Sequence, residues 1–245
     1  DLGLSSNQLT RDSVIQEISS SGNIIFEWNS WDHMNIFDCL IHRFPDDYAH
    51  INSFFIDSDG HIIASFRGCS TILKINRLNG EIIWSLGGSN PSLKIISDPY
   101  NEFCGQHTAS SYSDGILTIF DNGGHCNGDR EAKHGQFSRA LEYKIDVDNS
   151  TATFNNHYIL QNNMEFYSKS GGSFYKTRNG NWLVNWASGV DHGITEINPN
   201  INEIVFNIEI SNNDEIINNY RAYRIYEFII PIKSNNKIEY LYFNK

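Results

Sequence analysis

Apolar and polar residues alternate along most of this chain, and short polar turns interrupt the alternation. One arrangement, an alternating stretch followed by a turn and a second alternating stretch, occurs four times, at residues 13–28, 71–84, 141–154 and 193–208. A period of two bounded by Gly, Asn, Asp and Ser is typical of a β-hairpin. The pattern therefore predicts a chain that consists of antiparallel strand pairs.

A second arrangement places a histidine ahead of an Asp-Gly turn and an apolar strand. His50 precedes the turn at Asp59-Gly60, and His107 precedes the turn at Asp114-Gly115. A third strand pair of this kind, without the histidine, spans residues 172–186. Together with the hairpins, these pairs predict four-stranded units at about 47–88, 103–158 and 166–210, with partial units at 11–30 and 220–243.

Repeated four-stranded units of roughly 40–55 residues match the blades of a β-propeller, whereas a β-sandwich is not expected to repeat itself in this way. We therefore predict an all-β fold, a β-propeller, with residues 1–245 in a single domain. Propellers have about 4–8 blades, and the repeats fill about four to five. Either the ring has about five blades or an N-terminal portion is missing, and the lack of an initiator Met favours the second interpretation.

The topology of a blade predicts which polar residues meet. Residues before the first strand and residues between the second and third strands of every blade gather at one end of the central channel. His50 and His107 belong to the first group, and residues 67–70, 122–139 and 187–192 belong to the second. We therefore expect a polar cluster at one mouth of the channel.

His192 and Arg139 fall at nearly the same level of the third strand in their units, so they join this predicted cluster. Arginine binds sulfate or phosphate through its planar fork, and imidazole serves as a nucleophile or proton carrier near neutral pH. A histidine on a strand is more commonly a hydrogen-bonded structural residue. Repetition at one position favours a functional role for His50 and His107, and position alone leaves both interpretations open for His192 and Arg139.

Composition and motifs exclude several classes of function. The net charge of −11 provides no basic surface for nucleic acid. No apolar run approaches the ~20 residues that span a bilayer. Without a P-loop, a dinucleotide fingerprint, HExxH or CxxC, the sequence predicts neither a cofactor nor a metal site. The oligomeric state stays open, with a homo-oligomer or an extracellular assembly among the alternatives.

Cysteines and a sequon indicate a secreted, lumenal or periplasmic protein. Cys39, Cys69, Cys104 and Cys126 are an even number, compatible with two disulfides. A Cys104–Cys126 bond is reasonable because the two residues flank one strand pair at the same end, although the sequence leaves the pairing open. The sequon at Asn149 lies in a predicted hairpin turn and predicts a glycoprotein.

Several motifs together resemble the arylsulfotransferase (aryl-sulfate sulfotransferase) family, in order from about Arg11 to Arg224. They are Asp47–Ser53, Ile75–Gly88, Gln106–Thr108, Phe120–Gly123, Ser138–Asp146, Asn179–Asn181 and Tyr220–Arg224. The resemblance implies a six-bladed propeller that moves a sulfuryl group from an aryl sulfate ester to a phenol without a nucleotide donor. It also implies ping-pong transfer through a sulfated histidine and, in bacteria, a periplasmic location.

Residue by residue, the resemblance implies that His50 and His107 bind sulfate and act as acid and base. His192 is the candidate nucleophile by its position in the repeat. The family arginine after Asp-Asn-Gly has no clean match in this sequence, where His125 and then Arg130 follow the motif, and Arg139 belongs to a separate Ser-Arg motif. The expected substrate-binding residues are Asn52, Asn122, Arg130 and Arg139. The alternative function is a secreted propeller that binds or builds extracellular structure without catalysis.

Overall fold

The computed structural model describes residues 9–39, 46–124, 137–163, 166–187, 193–209, 219–225, 227–234 and 237–244 of the chain. These ranges contain 17 strands and one four-residue α-helix, α1 (Ser30–His33). Three-residue 3₁₀ turns lie at Ile36–Asp38, Arg67–Cys69 and Leu160–Asn162. The predicted all-β fold class is confirmed.

The strands form five sheets. Strands β1 (Val14–Ile18) and β2 (Ile24–Asn29) pair with each other, and so do β16 (Glu227–Ser234) and β17 (Lys237–Asn244). One four-stranded sheet contains β3 (Ile51–Ile56), β4 (Ile62–Phe66), β5 (Thr71–Ile75) and β6 (Ile82–Gly87). Another contains β12 (Ser173–Lys176), β13 (Trp182–Asn185), β14 (Ile194–Asn198) and β15 (Glu203–Ile208).

The remaining sheet has five strands in the order β7-β11-β10-β9-β8. Its members are β7 (Lys94–Ile96), β8 (His107–Ser111), β9 (Ile116–Asp121), β10 (Arg139–Asp146) and β11 (Thr151–Ile159). Strand β7 pairs in parallel with β11 over three residues, and the other pairs are antiparallel. The sequence did not predict β7, because a three-residue strand is too short to show alternation.

Apolar side chains from successive sheets pack together in three clusters. Trp28 of β2 lies with Phe66 of β4, and Ile63 of β4 lies with Leu117 of β9. In the third cluster, Phe120 lies with Trp186, which follows β13. Each cluster therefore joins a sheet to the next one along the chain, and the burial that stabilises the fold lies between sheets.

Disulfides join elements that are distant in the sequence. Cys39, after α1, is bonded to Cys69 in the turn that follows β4, with an S–S length of 2.04 Å. Cys104 is also in a disulfide, and its expected partner Cys126 lies outside the described residues. The Cys39–Cys69 bond ties the β1–β2 hairpin region to the β3–β6 sheet.

Among the residues that the structure describes, no helix combines the length and the apolar character needed to cross a membrane.

Candidate functional site

The two repeated histidines lie at matching irregularities of their sheets. Just after each histidine the strand pairing shifts register, and it resumes at Ser53 in β3 and at Ser110 in β8. The backbone is left-handed at His50 (φ 48°) and at Thr108 (φ 50°). A bulge re-aims side chains at the end of a strand, and bulges are common beside active sites. Both histidines therefore lie beside a bulge at the start of the first strand of a sheet.

His50 is an accessible imidazole oriented by a carboxylate. Its Nδ1 lies 2.6 Å from Oδ2 of Asp47, and about a third of its side chain is exposed (34%). A carboxylate at Nδ1 favours the tautomer that carries its proton there and its basic lone pair at Nε2. The carbonyl oxygen of His50 accepts a hydrogen bond from the backbone N–H of Arg67 at 3.0 Å, which brings the turn after β4 to the same place.

His107, by contrast, is buried and held neutral. Its Nδ1 lies 2.7 Å from Oδ1 of Asn122, and its Nε2 accepts a hydrogen bond from the N–H of Gly171 at 3.2 Å. The pKa of His107 is lowered from 6.5 to about 4, mainly by burial and also by the nearby charges of Arg67 and His50, and the hydrogen bond to Asn122 opposes this shift. At neutral pH this imidazole is therefore uncharged, and each of its two nitrogens makes a hydrogen bond.

Asn122 and residues 168–172 form the frame around His107. The side-chain amide of Asn122 donates to the carbonyl oxygens of Ser168 (2.8 Å) and Gly171 (3.1 Å). The hydroxyl of Thr108 donates to the carbonyl of Gly172 at 2.9 Å. Asn122 was expected to bind substrate, and in the structure it is 1% exposed and fixes the imidazole and the loop.

Asn52 joins the starts of β3 and β8. Its amide donates to the carbonyl oxygen of Gln106, the residue before His107, at 2.6 Å. Its Oδ1 is buried and has no hydrogen-bond partner within the described residues. A buried acceptor without a partner is costly, and a ligand hydroxyl or ammonium group would satisfy it.

Two arginines outside the set of site residues expected from the sequence complete the group. Nη2 of Arg221 donates to the carbonyl oxygen of Asn52 at 2.6 Å, across 169 positions of the sequence. Arg67 is 9% exposed, its Nη2 lies 3.4 Å from the carbonyl oxygen of Lys169, and its charge acts on His107. The sequence did contain indications of both residues, since Arg67 lies in a connection expected at the channel mouth and Arg221 lies in a motif that resembles the family. Neither indication predicts where the side chain lies.

Arg139 is placed differently from the expectation that it binds substrate. Its guanidinium is fully buried and ion-paired with Asp98 at 2.8 Å and Asp121 at 2.8 Å. Both carboxylates bind it by hydrogen bonds, and Asp121 also accepts from the backbone N–H groups of Cys104 and Gly123. None of its described contacts is with a site histidine. Through Asp121, Arg139 instead supports the backbone beside Asn122.

Two of the expected site residues, His192 and Arg130, lie outside the described residues. Across the ranges that the structure describes, no group of three or more His, Cys, Asp or Glu side chains is arranged to hold a metal ion.

The assembled site combines an accessible carboxylate-bound imidazole, a neutral buried imidazole and two arginines. Arginine recognises tetrahedral oxyanions through paired donors, and an Asp-bound histidine exchanges protons with a ligand. The arrangement is suited to an anionic substrate that undergoes proton transfer.

Comparisons with solved structures show distant likeness. A protein of unknown function from Bacteroides caccae is 16% identical, with a TM-score of 0.42, over 89% of this chain and 60% of that one. Virginiamycin B lyase from Staphylococcus aureus is 13% identical, with a TM-score of 0.43, over 94% of this chain and 62% of that one. The chain thus spans about three fifths of each of these structures, and likeness at this level does not identify a function.

No curated protein matches the sequence significantly. The sequence model of one family, described as "Arylsulfotransferase (ASST)", matches residues 4–224. Because this match covers most of the sequence, the chain belongs to the arylsulfotransferase family.

Proposed function

We propose that the protein transfers a sulfuryl group from an aryl sulfate ester to a phenolic acceptor. Family membership supports this class of reaction. The observation that carries the proposal for this chain is the meeting of His50, Arg67 and His107 where two neighbouring sheets begin. These side chains supply the proton carrier and the positive charge that sulfuryl transfer needs.

We further propose that the sheets are blades of a β-propeller and that the site lies at one mouth of its channel. Contacts between the first strands of successive sheets support this. Asn52, in β3, bonds Gln106 ahead of β8, and Thr108, in β8, bonds Gly172 ahead of β12. First strands that adjoin one another around a shared axis are typical of a propeller.

In the first half-reaction, a nucleophilic histidine forms an N–S bond as the S–O bond to the aryl group breaks. His192 is the proposed nucleophile. His50 gives its proton to the departing phenolate oxygen, and Asp47 stabilises the imidazolium before that transfer. In the second half-reaction His50 takes the proton of the acceptor phenol, whose oxygen attacks sulfur and releases the histidine.

Arg67 and Arg221 are better placed than Arg139 to stabilise the sulfuryl oxygens. Arg139 faces two carboxylates, which repel an anion and already saturate its fork. Arg221 instead binds a backbone carbonyl oxygen through Nη2, a neutral partner, and Arg67 lies close enough to His107 for its charge to act on that imidazole. We propose that His107 acts as a neutral anchor of this site rather than as an acid or base.

We propose a secreted or periplasmic location. The Cys39–Cys69 disulfide fits an oxidising compartment. Asn149 of the sequon lies in the exposed turn between β10 and β11, where a glycan would be tolerated.

The test is sulfuryl transfer from 4-nitrophenyl sulfate to phenol without nucleotide. Nitrophenol release should depend on phenol, and His50→Asn should lower kcat by roughly 10²–10⁴-fold because it removes the proton carrier. His61→Asn, which alters a histidine at the turn between β3 and β4, is the control and should retain activity. Intact-mass measurement with donor alone should detect one bound sulfuryl group that His192→Ala abolishes.

Absence of turnover by the full chain with a range of aryl sulfates would refute the enzymatic proposal and favour the non-catalytic alternative. A sulfuryl group still trapped by His192→Ala would refute the assignment of the nucleophile alone.

A further inference from the structure

Tyr220 presents an aromatic ring directly beside the site. Its carbonyl oxygen accepts a hydrogen bond from the N–H of Gly172 at 3.0 Å, which fixes the backbone against the loop that holds His107. Its ring meets the imidazole of His107 edge to face, with 5.8 Å between ring centroids and 80° between planes. The side chain is nevertheless 53% exposed. A fixed aromatic ring is thus partly open to solvent at the site.

The next residue adds a positive charge to this ring. The guanidinium carbon of Arg221 lies 5.3 Å from the centroid of the Tyr220 ring, within the range of a cation–π contact. Arg221 is itself anchored to the carbonyl oxygen of Asn52. Its Nε is buried and has no hydrogen-bond partner within the described residues. Aromatic surface and guanidinium are therefore adjacent and held in a defined relation.

We propose that Tyr220 is the specificity-determining residue that stacks on the aryl ring of the substrate, so that the site favours larger flat rings. The inference rests on the proposed function, which names the reaction but not the residue that recognises the aryl ring. A ring stacked on Tyr220 would lie beside Arg221 and His107, which both contact the Tyr220 ring. Aromatic pairs favour offset stacking, and a flat bicyclic ring offers more overlap than a single ring.

In a ping-pong reaction the donor and the acceptor occupy this surface in turn. Loss of the ring should therefore weaken both. Tyr220→Leu should raise KM for 4-nitrophenyl sulfate and for phenol by about fivefold to tenfold, with a smaller change in kcat, because stacking contributes to binding more than to bond cleavage. The effect should be larger with 4-methylumbelliferyl sulfate than with 4-nitrophenyl sulfate.

A binding measurement separates this inference from the reaction. Calorimetry or ligand-observed NMR with 4-nitrophenol should give a Kd that rises by about fivefold to tenfold in Tyr220→Leu and stays near the wild-type value in Tyr220→Phe. Phe206→Leu is a matched control, since Phe206 is 50% exposed and lies on the edge strand β15. It should bind 4-nitrophenol like the wild type. Circular dichroism checks that each variant is folded.

Unchanged binding of 4-nitrophenol by folded Tyr220→Leu overturns the inference, as does equal loss in Tyr220→Phe, which would assign the effect to the hydroxyl group. Failure of the wild type to bind the phenol also overturns it. The stated binding pattern in a protein without turnover would refute the proposed function and leave the aryl-binding surface standing.

Discussion

At the scale of residues, the repeated histidines differ in chemistry because their surroundings differ. His50 keeps a carboxylate partner and an exposed edge, so it can exchange protons with a ligand. His107 is enclosed, and both of its nitrogens are engaged by Asn122 and Gly171. Burial penalises the charged imidazole more than the hydrogen bond to Asn122 favours it, and the bond that Nε2 accepts from Gly171 requires the neutral ring. One motif thus yields an accessible, carboxylate-bound imidazole in one sheet and a buried, neutral imidazole in the next.

The lowered pKa of His107 predicts a specific loss of stability in acid. Between pH 6.5 and about 4 the unfolded chain binds a proton that the folded protein does not, so the free energy of unfolding falls as pH falls through this window. The contribution approaches roughly 3 kcal/mol near pH 4. Urea unfolding from pH 7 to pH 4 should show this loss in the wild type and a shallower slope in His107→Gln. Equal slopes would contradict the neutral assignment.

At the scale of elements, the loop of residues 168–172 connects the β7–β11 and β12–β15 sheets. It accepts the Asn122 and Thr108 hydrogen bonds and donates one to His107. Gly172 adopts a φ of +100°, and a Cβ there would lie 2.2 Å from the ring of Phe120. The close approach of loop and core ring therefore requires glycine.

Gly172→Ala should destabilise the protein by more than about 2 kcal/mol, since it combines backbone strain with a clash against a buried ring. Gly180→Ala is the matched control, with a φ of +84° and no atom within 4 Å of its added Cβ. It carries the strain alone and should cost about 1 kcal/mol. Chemical denaturation of both variants gives the comparison. If both variants lost a similar amount of stability, the clash with Phe120 would be relieved without any cost in free energy.

At the scale of the whole molecule, long-range links hold the sheets in the relation that the site needs. The Cys39–Cys69 bond closes a segment of 30 positions and fixes the turn that carries Arg67. Arg221 links residues near the end of the family match to β3. The Arg139 ion pairs join β10 to Asp98, which lies between β7 and β8. Each link connects elements that are remote in the sequence.

The double variant Cys39→Ser/Cys69→Ser should lose about 3–4 kcal/mol of stability, because the unfolded chain regains the entropy that a loop of 30 positions removes. The measurement is guanidinium unfolding of the variant against the wild type without reductant. The same comparison under full reduction is the control, and there the difference should largely disappear. A variant as stable as the oxidised wild type would contradict a stabilising role for the bond.

The sequence by itself determined most of the strands, the turns and the family. Alternation and Asp-Gly turns are local properties, so they predicted the hairpins and the setting of His50 and His107. Strand β7 was not predicted, because three residues are too few to show an alternation of apolar and polar positions. The family motifs likewise lie in short contiguous stretches.

Only the tertiary structure decided what the polar residues do. Arg139 is saturated by Asp98, 41 positions away, and Arg221 reaches Asn52 across 169 positions, distances that no local pattern encodes. The protonation state of His107 depends on how sheets enclose it, since desolvation arises from packing and not from neighbours in the sequence. Local sequence patterns determined the strands and turns, and the packing between sheets determined the contacts and protonation states of the polar side chains.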